Sequence, residues 1–130
     1  MKSKILGLIT LLFGLAIQLN ASEPFKLKIG PEYRGSIEFA YLSIQAKDDI
    51  KLDQIEVNRG KCKVYVRPPA WTNMEINELI QETKKGGKQT VIEYGNILKL
   101  YPMCKYDEIL EVKIKTNKGE FVFDEFTPSF

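Results

Sequence analysis

The tightest constraint on this chain is Val57-Asn58-Arg59-Gly60-Lys61-Cys62, a turn followed at once by one of only two cysteines; the other is Cys104. Upstream, Ile55 and Val57 share one parity, and downstream Cys62, Val64 and Val66 share another. Apolar residues at every second position mark strands buried on one face. Gly60 supplies the positive φ of a tight turn, and Asn58 tolerates or caps such a turn. The spacing predicts a hairpin from Leu52 to Val66 across Arg59-Gly60. Because Cys62 keeps step with Val64 and Val66, its sulfur is expected to face the core. Counting back by twos from Leu110 reaches Cys104, so the two cysteines are expected to meet there.

Residues 1–21 read as an export signal rather than as fold. Lys2 and Lys4 form a short positive region, Ile5 to Leu19 is an apolar run, and Asn20-Ala21 offers a small-residue cleavage point before Ser22. The alternative is a membrane anchor, but the run is shorter than the roughly 20 apolar residues a span needs. Residues 22–130 are then one domain, expected in the periplasm or secreted. In that setting two cysteines predict a disulfide, with a pair of buried thiols as the alternative. Removing Lys2 and Lys4 from the 19 basic residues leaves as many as the 17 acidic ones. A neutral surface gives no electrostatic reason to expect nucleic acid or an anionic membrane as partner.

The rest of the chain adds short strands and one helix. Ser22 to Lys28 reads as an edge segment that Gly30-Pro31 stops. From Ser36 to Ala46 the apolar parity changes at Tyr41-Leu42, which predicts a bulge or a strand changing sheets. Thr72-Asn73-Met74-Glu75 has the form of a capping box, with Trp71 and Ile76 as a hydrophobic staple. Ile76, Leu79, Ile80 and Thr83 follow at helical spacing, up to a glycine stop at Gly86-Gly87. Gln89 to Tyr101 reads as a second hairpin around Gly95-Asn96. Leu110, Val112 and Ile114 alternate with Glu111, Lys113 and Lys115, and Asn117-Lys118-Gly119 turns that strand into Phe121 and Phe123. Roughly eight strands and one helix predict a mainly β domain. Its expected form is an antiparallel β-sandwich of immunoglobulin-like type, or a small barrel, with one inserted amphipathic helix.

The side-chain chemistry points to binding. The chain has no histidine, which removes the ordinary general base near pH 7, a serine–histidine–aspartate arrangement and the usual zinc ligands. No glycine-rich phosphate loop opens a helix, and most carboxylates fall on polar parities or at turns. The expectation is a non-enzyme with no catalytic residues, cofactor or metal. Tyr33, Arg34, Tyr65, Arg67, Trp71, Tyr94, Tyr101 and Tyr106 are the residue types that anchor interfaces. Tyr65 and Arg67 lie opposite in parity to Cys62 and so should point outward together. Arg59, Tyr65, Arg67 and Trp71 are the candidate interaction surface.

From Ile55 to Cys62 the chain resembles a group of small exported proteins with an Asn-Arg-Gly-x-Cys hairpin, in which a second cysteine precedes a strand and a Thr-x-x-Gly-x-aromatic hairpin closes the chain. The matching parts here are Cys104 before Ile109 to Thr116, then Thr116-Asn117-Lys118-Gly119-Glu120-Phe121. The group is mostly uncharacterised, and some members are encoded with conjugation or type IV secretion machinery. The resemblance implies a periplasmic accessory role and brings no catalytic residues. The leading expectation is therefore a periplasmic protein-interaction module, an accessory of a secretion or conjugation apparatus. The alternatives are an inhibitor of a cell-wall hydrolase or protease, and a small-molecule carrier.

Overall fold

Alternation decides which side of each strand is buried, and it sorts the strands into two sheets. The computed structural model describes residues 23–68 and 74–124. In chain order these form β1 (Phe25–Arg34), β2 (Ile37–Ala46), β3 (Ile50–Val57), β4 (Val64–Tyr65), helix α1 (Ile76–Lys85), β5 (Thr90–Ile92), β6 (Ile97–Pro102), β7 (Val112–Thr116) and β8 (Gly119–Phe123). One sheet has the order β1-β2-β6-β4 and the other β5-β3-β7-β8, with every pairing antiparallel. Leu42, Ile44 and Leu100 of the first sheet and Ile50, Ile55 and Ile114 of the second are fully buried. Each such side chain contributes about 2 kcal/mol by leaving water.

The sheets do not join into a barrel; the fold is a sandwich. With β5 set aside, the strands read A-B-E-D over C-F-G, the immunoglobulin-like order. At one edge Phe25 of β1 meets the ring of Phe121 edge-on at 5.4 Å and that of Phe123 at 5.8 Å, both from β8. At the other edge α1 buries Ile76 and Ile80 and lies against β3, β4 and β5. Asn77 fixes the helix there by presenting its amide to β3 as another strand would. Its Oδ1 accepts from Ile55 N–H at 2.9 Å, and its Nδ2 donates to Ile55 C=O at 2.7 Å.

The helix begins later than the capping box implies. Glu75 is the N-cap, its carboxylate accepting from Glu78 N–H at 3.1 Å, whereas the spacing had put Glu75 inside the first turn. Thr72 and the Trp71 half of the staple lie outside the described residues. The glycine stop is as expected. Gly87 has φ +80°, with its N–H on Lys84 C=O and Lys88 N–H on Thr83 C=O.

Several sequence expectations are corrected. Gly30-Pro31 does not stop β1, which pairs with β2 without a break from Phe25 to Arg34. Lys47 N–H donates to Pro24 C=O, so the hydrogen-bonded rungs fall on the odd residues of β2. Pro31 faces Ala40 between those rungs, on an edge strand, and its missing N–H costs nothing. There is no slip at Tyr41-Leu42 either. Ala40, Leu42, Ile44 and Ala46 all face inward, while Phe39 and Tyr41 sit half-buried on the opposite side. The irregularity lies instead in β3, between Leu52 and Gln54 against β7.

Neither expected central hairpin is a ladder. Val57 and Cys62 form a single bridge, after which β4 pairs with β6 in the other sheet. Likewise β5 pairs with β3 while β6 pairs with β2, so Glu93 to Asn96 crosses between sheets. The tertiary pairing of β4 with β6, and of β5 with β3, overrides the local turn at both places. The β7–β8 hairpin is as expected. Leu110 is not: it is 71% exposed and precedes the strand, so parity counted from it does not explain Cys104.

Cys62 and Cys104 are nevertheless bonded, with Cα atoms 5.8 Å apart. The bond joins two chain segments that cross between the sheets at the same end, β3 to β4 and β6 to β7. Asn58 binds the same two segments through hydrogen bonds. Its Oδ1 accepts from Leu110 N–H (2.7 Å) and Glu111 N–H (3.1 Å), and its Nδ2 donates to Glu108 C=O (2.9 Å). Its own N–H donates to Glu111 C=O at 2.8 Å. Asn58, Arg59 and Gly60 all have positive φ, at 52°, 58° and 89°. Only asparagine combines tolerance of that backbone with both a donor and an acceptor here. We expect Asn58→Ala to lower unfolding free energy by about 2–4 kcal/mol in denaturant titration, from the lost bonds and the strained φ. Asn58→Gly, which loses the bonds but not the backbone ease, should cost about 1 kcal/mol less. Replacing both cysteines by serine should cost about 4 kcal/mol by the loop-entropy relation.

Candidate functional site

The outward parity of the β1-β2-β6-β4 sheet carries the candidate site. Antiparallel register places Glu32 beside Phe39, Gly30 beside Tyr41, Ser43 beside Lys99, and Tyr101 beside Tyr65. Each pair shares one side of the sheet, and that side is opposite Leu42, Leu100 and Val64. A sheet face turned to solvent ordinarily carries small or charged side chains. This one gathers Phe39, Tyr41, Tyr65 and Tyr101, and Tyr101 is only 6% exposed. Among the described residues the second sheet packs on the other side, so this burial lies outside the sandwich core.

An ion cluster links two of these rings, Tyr41 and Tyr101. The Glu32 carboxylate pairs with Lys99 through Oε1 and accepts from Arg34 Nε at 3.0 Å through Oε2. Tyr101 O–H reaches the same Oε2 at 3.4 Å. Lys99 Nζ also stands 4.8 Å from the centre of the Tyr41 ring, within cation–π range. The Glu32 side chain is 15% exposed, against 44% and 45% for the two cations. The carboxylate is therefore the sheltered centre and the cations form its rim. The hydrogen bond from Lys99, then Arg34, holds the Glu32 carboxyl below the usual glutamate range despite partial burial. The same contact raises the Lys99 ammonium above its ordinary value.

The residues singled out from the sequence separate. Tyr65 lies half-buried on this face, beside Tyr101, as parity predicts. Arg67 is exposed just beyond the end of β4. Arg59 belongs to the disulfide end instead; its side chain is 83% exposed and its Nε is 3.4 Å from Glu111 Oε1. Trp71 lies outside the described residues. Glu32, Phe39, Tyr41 and Lys99 were not among the candidates. The signal for them is Ile37, Phe39 and Tyr41 on the parity opposite to Leu42 and Ile44. Two apolar parities on one strand mean two covered faces, a reading that competes with a bulge.

Among the described residues no group of three or more histidine, cysteine, aspartate or glutamate side chains is arranged to hold a metal ion, and no helix is long and apolar enough to cross a membrane. Comparison with family models, with curated proteins and with solved structures finds no match to this chain. A lowered carboxyl pKa stabilises the fold above the ordinary glutamate range, and that contribution fades as pH falls through the folded value. Glu32→Gln should therefore flatten the acid limb of the stability–pH curve below the ordinary value of 4.5, as followed by thermal melts. An unchanged acid limb would show that the ion cluster contributes nothing in solution.

Proposed function

We propose that this domain is an exported, non-enzymatic protein-interaction module that docks a partner on the outer face of its β1-β2-β6-β4 sheet. The observation that carries this reading is Tyr101, nearly buried on the side of its sheet away from the core, beside Tyr65 and hydrogen-bonded to Glu32. Tyrosine and arginine dominate the energetics of protein interfaces because they offer large, rigid contact area with a polar tip. Here Phe39, Tyr41 and Tyr65 supply the area, and Arg34 and Lys99 supply donors already positioned by Glu32. Pre-positioned side chains lose less freedom on binding, which favours a stable contact. The disulfide supports export, because such bonds persist in oxidising compartments. An accessory role beside a secretion or conjugation apparatus is the specific form of this proposal that the Asn58 to Cys62 resemblance suggests.

The test is crosslinking of the full chain in its native compartment with a photoreactive group at exposed Ile37 or Ile97, on the same face. We expect one discrete adduct, reduced about tenfold by Tyr65→Ala combined with Arg34→Glu, a change of about 1.4 kcal/mol. Equal adducts from the double variant and wild type would remove the outer face from the account.

A further inference from the structure

The two outer faces of the sandwich differ in charge. On the β5-β3-β7-β8 sheet the outward residues neutralise one another. Register sets Lys113 across from Glu56 and Lys115 across from Glu120, with their charged groups 3.6 Å and 3.9 Å apart. Opposite charges placed directly across an antiparallel ladder stabilise the ladder itself. The outward positions of β1, β2 and β6 are unbalanced, with Lys26, Lys28, Arg34 and Lys99 against Glu32 alone. Glu32 is already engaged by Lys99 and Arg34.

Register also arranges these cations in rows across the sheet. Lys28 of β1 and Lys99 of β6 both stand opposite Ser43 of β2, and in the next row Lys26 and Ile97 stand opposite Gln45. Neighbouring strands lie about 4.8 Å apart, so the Lys28 and Lys99 backbones are about 10 Å from one another across the short Ser43 side chain. A carboxylate seated over Ser43 is within reach of both flexible ammonium groups, and Lys99 has donors beyond the one it gives Glu32. Lys26, Lys28 and Lys99 are exposed, and Ile97 beside them is 59% exposed. The rings of this face are less open: Tyr101 is nearly buried, and Lys99 Nζ stands over the Tyr41 ring. Stacking of nucleobases uses open ring faces, and anchoring in a lipid interface uses aromatic side chains that project from the protein. Exposed lysines beside an exposed isoleucine instead suit a protein segment that alternates acidic and apolar side chains.

We propose that the partner of this face is acidic: a protein segment whose carboxylates bind Lys26, Lys28 and Lys99 over Ser43 and Gln45, and whose apolar side chains rest on Ile97. This rests on the outer-face reading and adds to it the chemistry of the partner. Charge complementarity across an interface speeds encounter and rejects like-charged partners. It also makes binding depend on salt, because exposed charges are screened over about 10 Å at 0.1 M ionic strength.

The experiment is an NMR titration of the oxidised protein with an alternating glutamate–leucine octapeptide blocked at both ends. Its comparisons are the glutamine–leucine and lysine–leucine octapeptides, a short oligodeoxythymidine and phosphatidylglycerol vesicles. We expect the acidic peptide to shift the amides of Ser43, Gln45 and Lys99, and its affinity to fall several-fold between about 50 mM and about 300 mM salt. Lys26→Glu combined with Lys28→Glu, at exposed positions of an edge strand, should weaken it about tenfold. Ser43→Asp, which sets the chain's own carboxylate between Lys28 and Lys99, should weaken it by a similar factor. The proposal is overturned if the acidic peptide leaves those amides unmoved, if any of the comparison ligands binds there as well, or if the charge-changed variants bind the acidic peptide unchanged. In each of those cases a discrete photoadduct at Ile37 or Ile97 keeps the outer-face reading and removes only the acidic partner, whereas loss of that adduct removes both.

Discussion

A sandwich whose strands keep changing sheets must hold its crossing segments still, because each one is a length of backbone without a ladder. At one end of this domain the Cys62–Cys104 bond does that covalently, and Asn58 does it with hydrogen bonds to Glu108, Leu110 and Glu111. The two devices act on the same pair of segments, so losing one leaves the other bearing on the same backbone. The opposite end uses the same chemistry without a covalent bond. Asp49 Oδ1 accepts from Tyr94 N–H at 2.8 Å, Asn117 Oδ1 accepts from Lys51 N–H at 2.8 Å, and Lys118 reaches Asp48 at 3.0 Å. In both places short amide or carboxylate side chains stand in for missing strand partners, a role suited to them by reach and by their paired acceptor oxygens or amide groups.

What sequence reveals here depends on the range of the interaction. Parity within a strand is local, so the inward turn of Cys62 and Val64 and the whole β7–β8 hairpin could be read directly. The positive φ at Gly60 and Asn58 was equally legible. Partner strands are a tertiary choice, and both central hairpins were misassigned for that reason. A two-residue turn and a change of sheet begin with the same glycine and asparagine, and only the need to cover the core decides between them. Pro31 shows the same limit. Its effect depends on whether its nitrogen faces a rung or solvent, which the neighbouring strand sets.

The candidate site was legible in part. Tyr65 was placed correctly from parity, and Arg34, Tyr101 and Tyr106 were recognised as interface types. Their grouping was not visible, because Glu32, Lys99 and Tyr101 come from β1 and β6, which meet only through β2. The candidate features of this fold therefore gather where side chains from strands distant in sequence come together on the outside.

The most direct measurement of the central claim is amide exchange in oxidised protein compared with the double variant Cys62→Ser, Cys104→Ser, under conditions where both remain folded. If the bond and Asn58 jointly hold one end, exchange should rise at Leu110, Glu111 and Met103, while the Tyr94 and Lys51 amides at the other end keep their rates. A uniform rise across both ends, or no rise at Leu110 and Glu111, would contradict the account.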